Sequence, residues 1–86
     1  MKTDLNFLKS LCEAFAPPSM EGEVRALLSD RLLAAGLHPA TSRSGNLTVT
    51  IRGKSAAPHV AFLAHMDEPG LMLTEAQDEY FRFEPL

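Results

Sequence analysis

The sequence predicts an α/β fold, with two amino-terminal helices packed on a mixed sheet as part of a three-layer sandwich. Three observations carry that prediction. Apolar residues recur at helical spacing as far as Gly36, the period then drops to two, and the run His59-Val60-Ala61-Phe62-Leu63-Ala64-His65 is apolar on both faces. Two-sided burial of that kind belongs to a central strand with helices on either side.

The first helix is predicted from Asp4 to Phe15, where Leu5, Leu8, Cys12 and Phe15 share a stripe with Leu11 alongside, and Thr3 or Asp4 can cap its start. Ala16-Pro17-Pro18 ends it, because the residue before a proline is pushed out of the helical region and proline has no N–H to donate. A second helix is predicted from an N-cap near Ser19, with Glu21 and Glu23 complementing the dipole of its first turn, to a C-cap at Gly36. Val24, Leu27, Leu28, Leu32 and Ala35 lie on one face; Leu33 falls off it and Arg31 intrudes, as suits a helix laid on a sheet better than a coiled coil.

Beyond Gly36, Leu47, Val49 and Ile51 alternate with polar residues and predict a half-buried strand. Ser44-Gly45-Asn46 is the turn before it, and residues 37–43 are the hairpin partner, held to a sheet edge by Pro39. A small-residue loop, Gly53 to Pro58, leads into the central strand. Leu71–Thr74 and Tyr80–Phe83 predict two more strands joined around Gln77-Asp78-Glu79. The sequence stops directly after that last strand signal, so the central strand is expected to be covered by further sequence or by another chain.

Composition narrows the function. The 86 residues make one small domain or a piece of a larger one. Eight Lys and Arg against eleven Asp and Glu give a net charge of -3, which supplies no general field for phosphate backbones or anionic lipid. The longest apolar stretch, Leu32–Leu37, is too short for a membrane span or a signal peptide, so a cytoplasmic protein is expected. The lone Cys12 fits a reducing compartment and is expected to be a small buried apolar side chain.

One segment carries chemistry: His65-Met66-Asp67-Glu68-Pro69-Gly70, where the apolar run passes into a loop. Ligands of open α/β sheets bind beyond the carboxyl ends of strands, and imidazole is the commonest metal ligand. Asp67, two residues on, projects to the same side of an extended chain, where it can join a metal or accept the other ring N–H of His65. Spacing alone is also satisfied by a strand-end histidine hydrogen-bonded to its neighbours. His59 is six residues away, roughly 20 Å along a strand, and cannot share an ion with His65; His38 reads as a solvated surface residue. A zinc site takes three or four protein ligands, so any site here is incomplete.

Ala64-His65-Met66-Asp67-Glu68-Pro69-Gly70-Leu71-Met72 resembles the metal-binding segment of the glutamyl, or tetrahedral, aminopeptidases, dinuclear metallopeptidases of which some carry the label cellulase or endoglucanase M. The resemblance extends through the opening helix, the Pro-Ser loop leading to Glu23-Val24-Arg25, the Ser44-Gly45-Asn46-Leu47 turn and Phe81-Arg82-Phe83-Glu84-Pro85. It implies the amino-terminal part of a zinc-exopeptidase-like catalytic domain over residues 1–86, with His65 as a ligand of one of two divalent ions, zinc or cobalt, and Asp67 as the catalytic-site carboxylate that orients it. It also implies peptide substrates and a homo-oligomer. Pro69 stands where an aliphatic residue is usual. The family's bridging aspartate, catalytic glutamate and remaining ligands have no counterparts in these residues, so the chain alone is expected to hold metal weakly or not at all and to be inactive.

Two other readings compete. A glycosidase would need two carboxyl groups about 5 to 5.5 Å apart across a sugar for a retaining mechanism, whereas the adjacent Asp67 and Glu68 point to opposite faces of an extended chain. An interaction fragment, associating through strand edges and an uncovered apolar face, needs no active site.

Overall fold

The computed structural model describes residues 4–57 and 59–86, in the order α1 (Leu5–Glu13), α2 (Gly22–Ala34), β1 (Ala40–Thr41), β2 (Leu47–Thr48), β3 (Leu71–Ala76) and β4 (Phe81–Pro85). The mixture of helices with strands is thus present, and the strands form two separate two-stranded antiparallel sheets, β1–β2 and β3–β4. Thr3, the alternative cap, and Pro58, the end of the predicted loop, lie outside the described residues. Two compact units divide the rest: residues 4–24 with 66–86, and residues 25–65.

In the first unit, Asp4 caps α1 by accepting a 3.0 Å bond from the Phe7 N–H. The stripe predicted to be covered is not. Leu5 is 70% and Phe15 61% exposed, Cys12 is exposed rather than buried, and the half-buried residues are Phe7, Leu11 and Ala14. Periodicity shows that a helix has an apolar stripe without showing that anything packs on it. Ala14 leaves the helix in extended geometry, and the buried Ala16 and Pro17 follow.

The chain then turns through Pro17-Pro18-Ser19-Met20, closed by a 2.9 Å bond from the Met20 N–H to the Pro17 carbonyl. Proline in the second place and a positive φ of 68° at Ser19 in the third are the marks of a type II turn. Ser19 therefore belongs to this turn and is not the N-cap of α2, which starts three residues later at Gly22. Glu21 Oε1 accepts the Ser19 N–H at 2.8 Å, and Glu23 Oε2, from the first turn of α2, accepts the Phe15 N–H at 2.7 Å.

β3 and β4 close this unit. Their register pairs Leu71 with Pro85, Leu73 with Phe83 and Ala76 with Phe81, while Met72 pairs with Glu84 and Glu75 with Arg82. A bulge between Leu73 and Glu75 inserts one residue, which keeps the apolar pairs in phase along the ladder. Arg82 pairs across the ladder with Glu75 at 3.6 Å, an exposed pair. The turn is closed from the Gln77 N–H to the Tyr80 carbonyl at 2.8 Å, in the predicted place.

In the second unit, Leu27, Leu28 and Leu32 of α2 are half-buried while Arg31 and Leu33 are exposed, which is the predicted face apart from the exposed Ala35. The helix ends in a Schellman motif: Gly36 has φ 81°, its N–H meets the Leu33 carbonyl at 3.0 Å, and the Leu37 N–H meets the Leu32 carbonyl at 3.0 Å. The β1–β2 hairpin forms about the predicted turn, with Ala40 opposite Thr48 and Thr41 opposite Leu47. Ser42 organises that turn, its N–H reaching the Asn46 carbonyl at 2.9 Å and its Oγ accepting the Asn46 N–H at 3.0 Å. Arg25 Nε donates to the Gly45 carbonyl at 2.8 Å and so ties α2 to the hairpin.

Gly45 is required at this contact by its backbone: its φ of 93° is costly for other residues, whereas an added Cβ would meet at 2.8 Å only the far end of the flexible Arg25 side chain. Gly45→Ala is expected to destabilise the hairpin by about 1 to 2 kcal/mol, the left-handed penalty, read as roughly tenfold faster amide exchange at Asn46. Ser19→Gly should act in the opposite sense, raising the urea midpoint by a gain of up to about 1 kcal/mol as the same penalty is relieved at the Pro-Pro turn.

Candidate functional site

The predicted central strand does not form. Residues 59–65 run without helix, turn or bend, and belong to neither sheet. A strand is defined by its ladder, and neither ladder includes this run. His65 at its end is exposed, not turned into a packed apolar interior, and His59 and His38 are exposed as well.

The segment that follows belongs to the first unit and is anchored there by backbone contacts. The Glu68 N–H donates to the Ala16 carbonyl at 2.7 Å, and the Leu86 N–H donates to the Gly70 carbonyl at 2.8 Å. Gly70 lies so close to the Pro17 ring that an added Cβ would stand 3.0 Å from Pro17 Cβ and 3.5 Å from Leu86 Cδ1. Residues 68–70 are thus clasped between the Ala16-Pro17 corner and the end of β4. Met66 and Asp67 are half-buried, whereas Glu68 and Pro69 are exposed. A recess of about 340 Å³ opens beside this clasp, lined mainly by apolar groups of Phe15, Pro17, Met20, Leu71, Met72 and Leu86.

Two roles escaped the sequence reading. The main chain of Glu68 holds the loop in place, and the carboxylate of Glu23 serves the Phe15 N–H as well as the helix dipole. Both are contacts between residues far apart in sequence or across a turn, for which spacing carries no signal.

Among the described residues, no group of three or more His, Cys, Asp or Glu side chains is arranged to hold a metal ion. A closed zinc site needs four donors and a catalytic one three. The residues present therefore do not by themselves fit a dinuclear centre.

The comparisons with known proteins take in this stretch. The family model for M42 glutamyl aminopeptidases matches residues 45–86, a span that includes His65, Asp67, the clasped Gly70 and both strands of the second hairpin. A glutamyl aminopeptidase of Lactococcus lactis subsp. cremoris (strain MG1363) is 37% identical over 81 residues, which are 92% of this chain and 23% of that protein. The chain thus spans about a quarter of the length of the curated relative it matches. No solved structure matches it significantly. The similarity defines the class as that of the aminopeptidases. Within it, the chain belongs to the M42 glutamyl aminopeptidase family.

The clasp makes a direct prediction. Gly70→Ala crowds the buried, rigid Pro17 ring, so the Glu68 N–H is expected to lose protection and exchange several-fold faster with deuterium, with the β1–β2 hairpin amides unchanged.

Proposed function

We propose that this chain carries the amino-terminal part of the catalytic domain of a metal-dependent glutamyl aminopeptidase, which removes amino-terminal residues from peptides. The observation that carries the reading is the match over residues 45–86, which takes in an exposed His65 at the end of an apolar run free of turn or bend and a half-buried Asp67 two positions later. In this reading His65 is a ligand of one of two divalent ions, zinc or cobalt, and Asp67 is the positioning carboxylate that fixes its ring. The remaining donors come from outside these residues and cover the apolar run, completing the sandwich around it.

The described residues gather too few donors for the pair of ions, so no hydrolytic step is assigned to them. The 86-residue chain by itself is inactive in this reading. Its own contribution is to present the imidazole and to fix the following loop through the Glu68 and Gly70 backbone contacts. The exposure of the apolar pairs of β3 and β4 favours a second reading, an associating fragment without catalysis.

Zinc titration separates the two. The isolated chain is expected to bind zinc weakly, and the same residues within a longer protein of this family to bind it tightly and release amino-terminal residues from peptides. In that longer protein Asp67→Asn should weaken metal binding by about 10- to 100-fold, the usual cost of losing a carboxylate behind a ligating histidine, with His65→Ala costing more. Metal content and peptide hydrolysis unchanged in both variants would overturn the assignment, as would near-enzymatic hydrolysis by the isolated chain.

A further inference from the structure

A chain of made contacts leads from Glu23 to the loop of Asp67. α1 ends at Glu13 and its extended cap Ala14 still donates to the Ser10 carbonyl, so the Phe15 N–H is the first beyond the helical bonds. Glu23 Oε2 accepts it at 2.7 Å, across eight positions and the Pro-Pro turn. Pro17 and Pro18 have no N–H, so Phe15 and Ala16 carry the only backbone donors of residues 15–18.

The next residue passes that constraint on. Ala16 precedes a proline and is restricted to extended geometry, so fixing the Phe15 N–H also fixes the direction of the Ala16 carbonyl. That carbonyl accepts the Glu68 N–H at 2.7 Å, one residue from Asp67. Both ends are seated, since Ala16 and Val24, which follow the bonded Phe15 and Glu23, are 3% and 6% exposed. We propose that Glu23 is a positioning residue for the loop that bears Asp67, acting through Phe15 and Ala16 on the Glu68 N–H. Its consequence for peptide hydrolysis rests on the peptidase reading; the positioning does not.

Two conservative variants separate this role from a helix-dipole role. Stabilising the first turn of α2 needs the negative charge, whereas holding the Phe15 N–H needs an acceptor oxygen at the reach of a glutamyl side chain. Glu23→Gln keeps the oxygen and its reach but loses the charge; Glu23→Asp keeps the charge but is one methylene shorter.

Deuterium exchange on the 86-residue chain reads the difference. Glu23→Ala and Glu23→Asp should speed exchange at the Phe15 and Glu68 amides by about three- to tenfold, and Glu23→Gln should hold both within about twofold of wild type. The Gln77 amide, in the β3–β4 turn, and the Leu37 amide, at the end of α2, should stay unchanged and so exclude general unfolding. In a longer protein that carries these residues, Glu23→Ala should lower kcat for release of amino-terminal residues by about tenfold with KM unchanged, and Glu23→Gln should restore it. Glu68 exchange indifferent to Glu23→Ala overturns the proposal, as does protection kept by Asp and lost with Gln, or a rise shared by Gln77 and Leu37. A longer wild-type protein without peptide hydrolysis overturns the peptidase reading alone, because the exchange pattern still stands for the positioning.

Discussion

The first unit depends on one corner of backbone. Ala16 precedes a proline and is disfavoured in the helix that ends just before it, so its carbonyl is not spent on a helical bond. It accepts instead from Glu68, fifty-two positions later by the residue numbers, at 2.7 Å. The approach is possible because Pro17 brings a ring in place of an N–H and Gly70 brings no side chain. The loop carrying Asp67 is therefore located by the proline corner after α1 together with the end of β4. Glu23 secures the same corner from the other side through the Phe15 N–H.

That corner holds the little interior this unit has, for Ala16, Pro17 and Val24 are the residues buried within it. The other elements bring apolar faces that nothing among the described residues covers. The β3–β4 register sets Leu73 against Phe83, yet they are 62% and 56% exposed. The Arg82–Glu75 pair beside them adds at most about 1 kcal/mol because both partners are solvated. A two-stranded hairpin is marginal by itself, and so the order seen here is set more by turns and caps than by a core.

This explains what the sequence could and could not reveal. Features written in local chemistry were legible: the Asp4 cap, the Gly36 terminator, the Gly45 turn and the places of the two hairpins, although the strand predicted through Val49 and Ile51 ends at Thr48 and Ile51 is exposed. The helix face of Val24, Leu27, Leu28 and Leu32 was legible too. Features that need a partner were not. The stripe of Leu5, Leu8 and Phe15 and the run 59–65 have the composition of buried elements, but composition states a need for burial and does not supply the burying surface. Ser19 was misread because a serine before an acidic turn has the look of an N-cap, whereas two preceding prolines make it the third residue of their turn. Of the candidate site, the motif was readable and its anchorage through Ala16 and Gly70 was not.

The family match and the shortage of metal donors are consistent for a geometric reason. Along an extended chain, residues two apart are about 6.6 Å apart on one face, and residues four apart about 13 Å. Donors that share an ion each lie about 2 Å from it, so they stand within about 4 Å of one another. One straight segment can then contribute a ligand and the carboxylate behind it, but not a full coordination sphere. Any centre built on His65 must draw its other donors from elements brought alongside by the fold. A chain can therefore be recognisable at 37% identity while no cluster of three donors forms among the residues described.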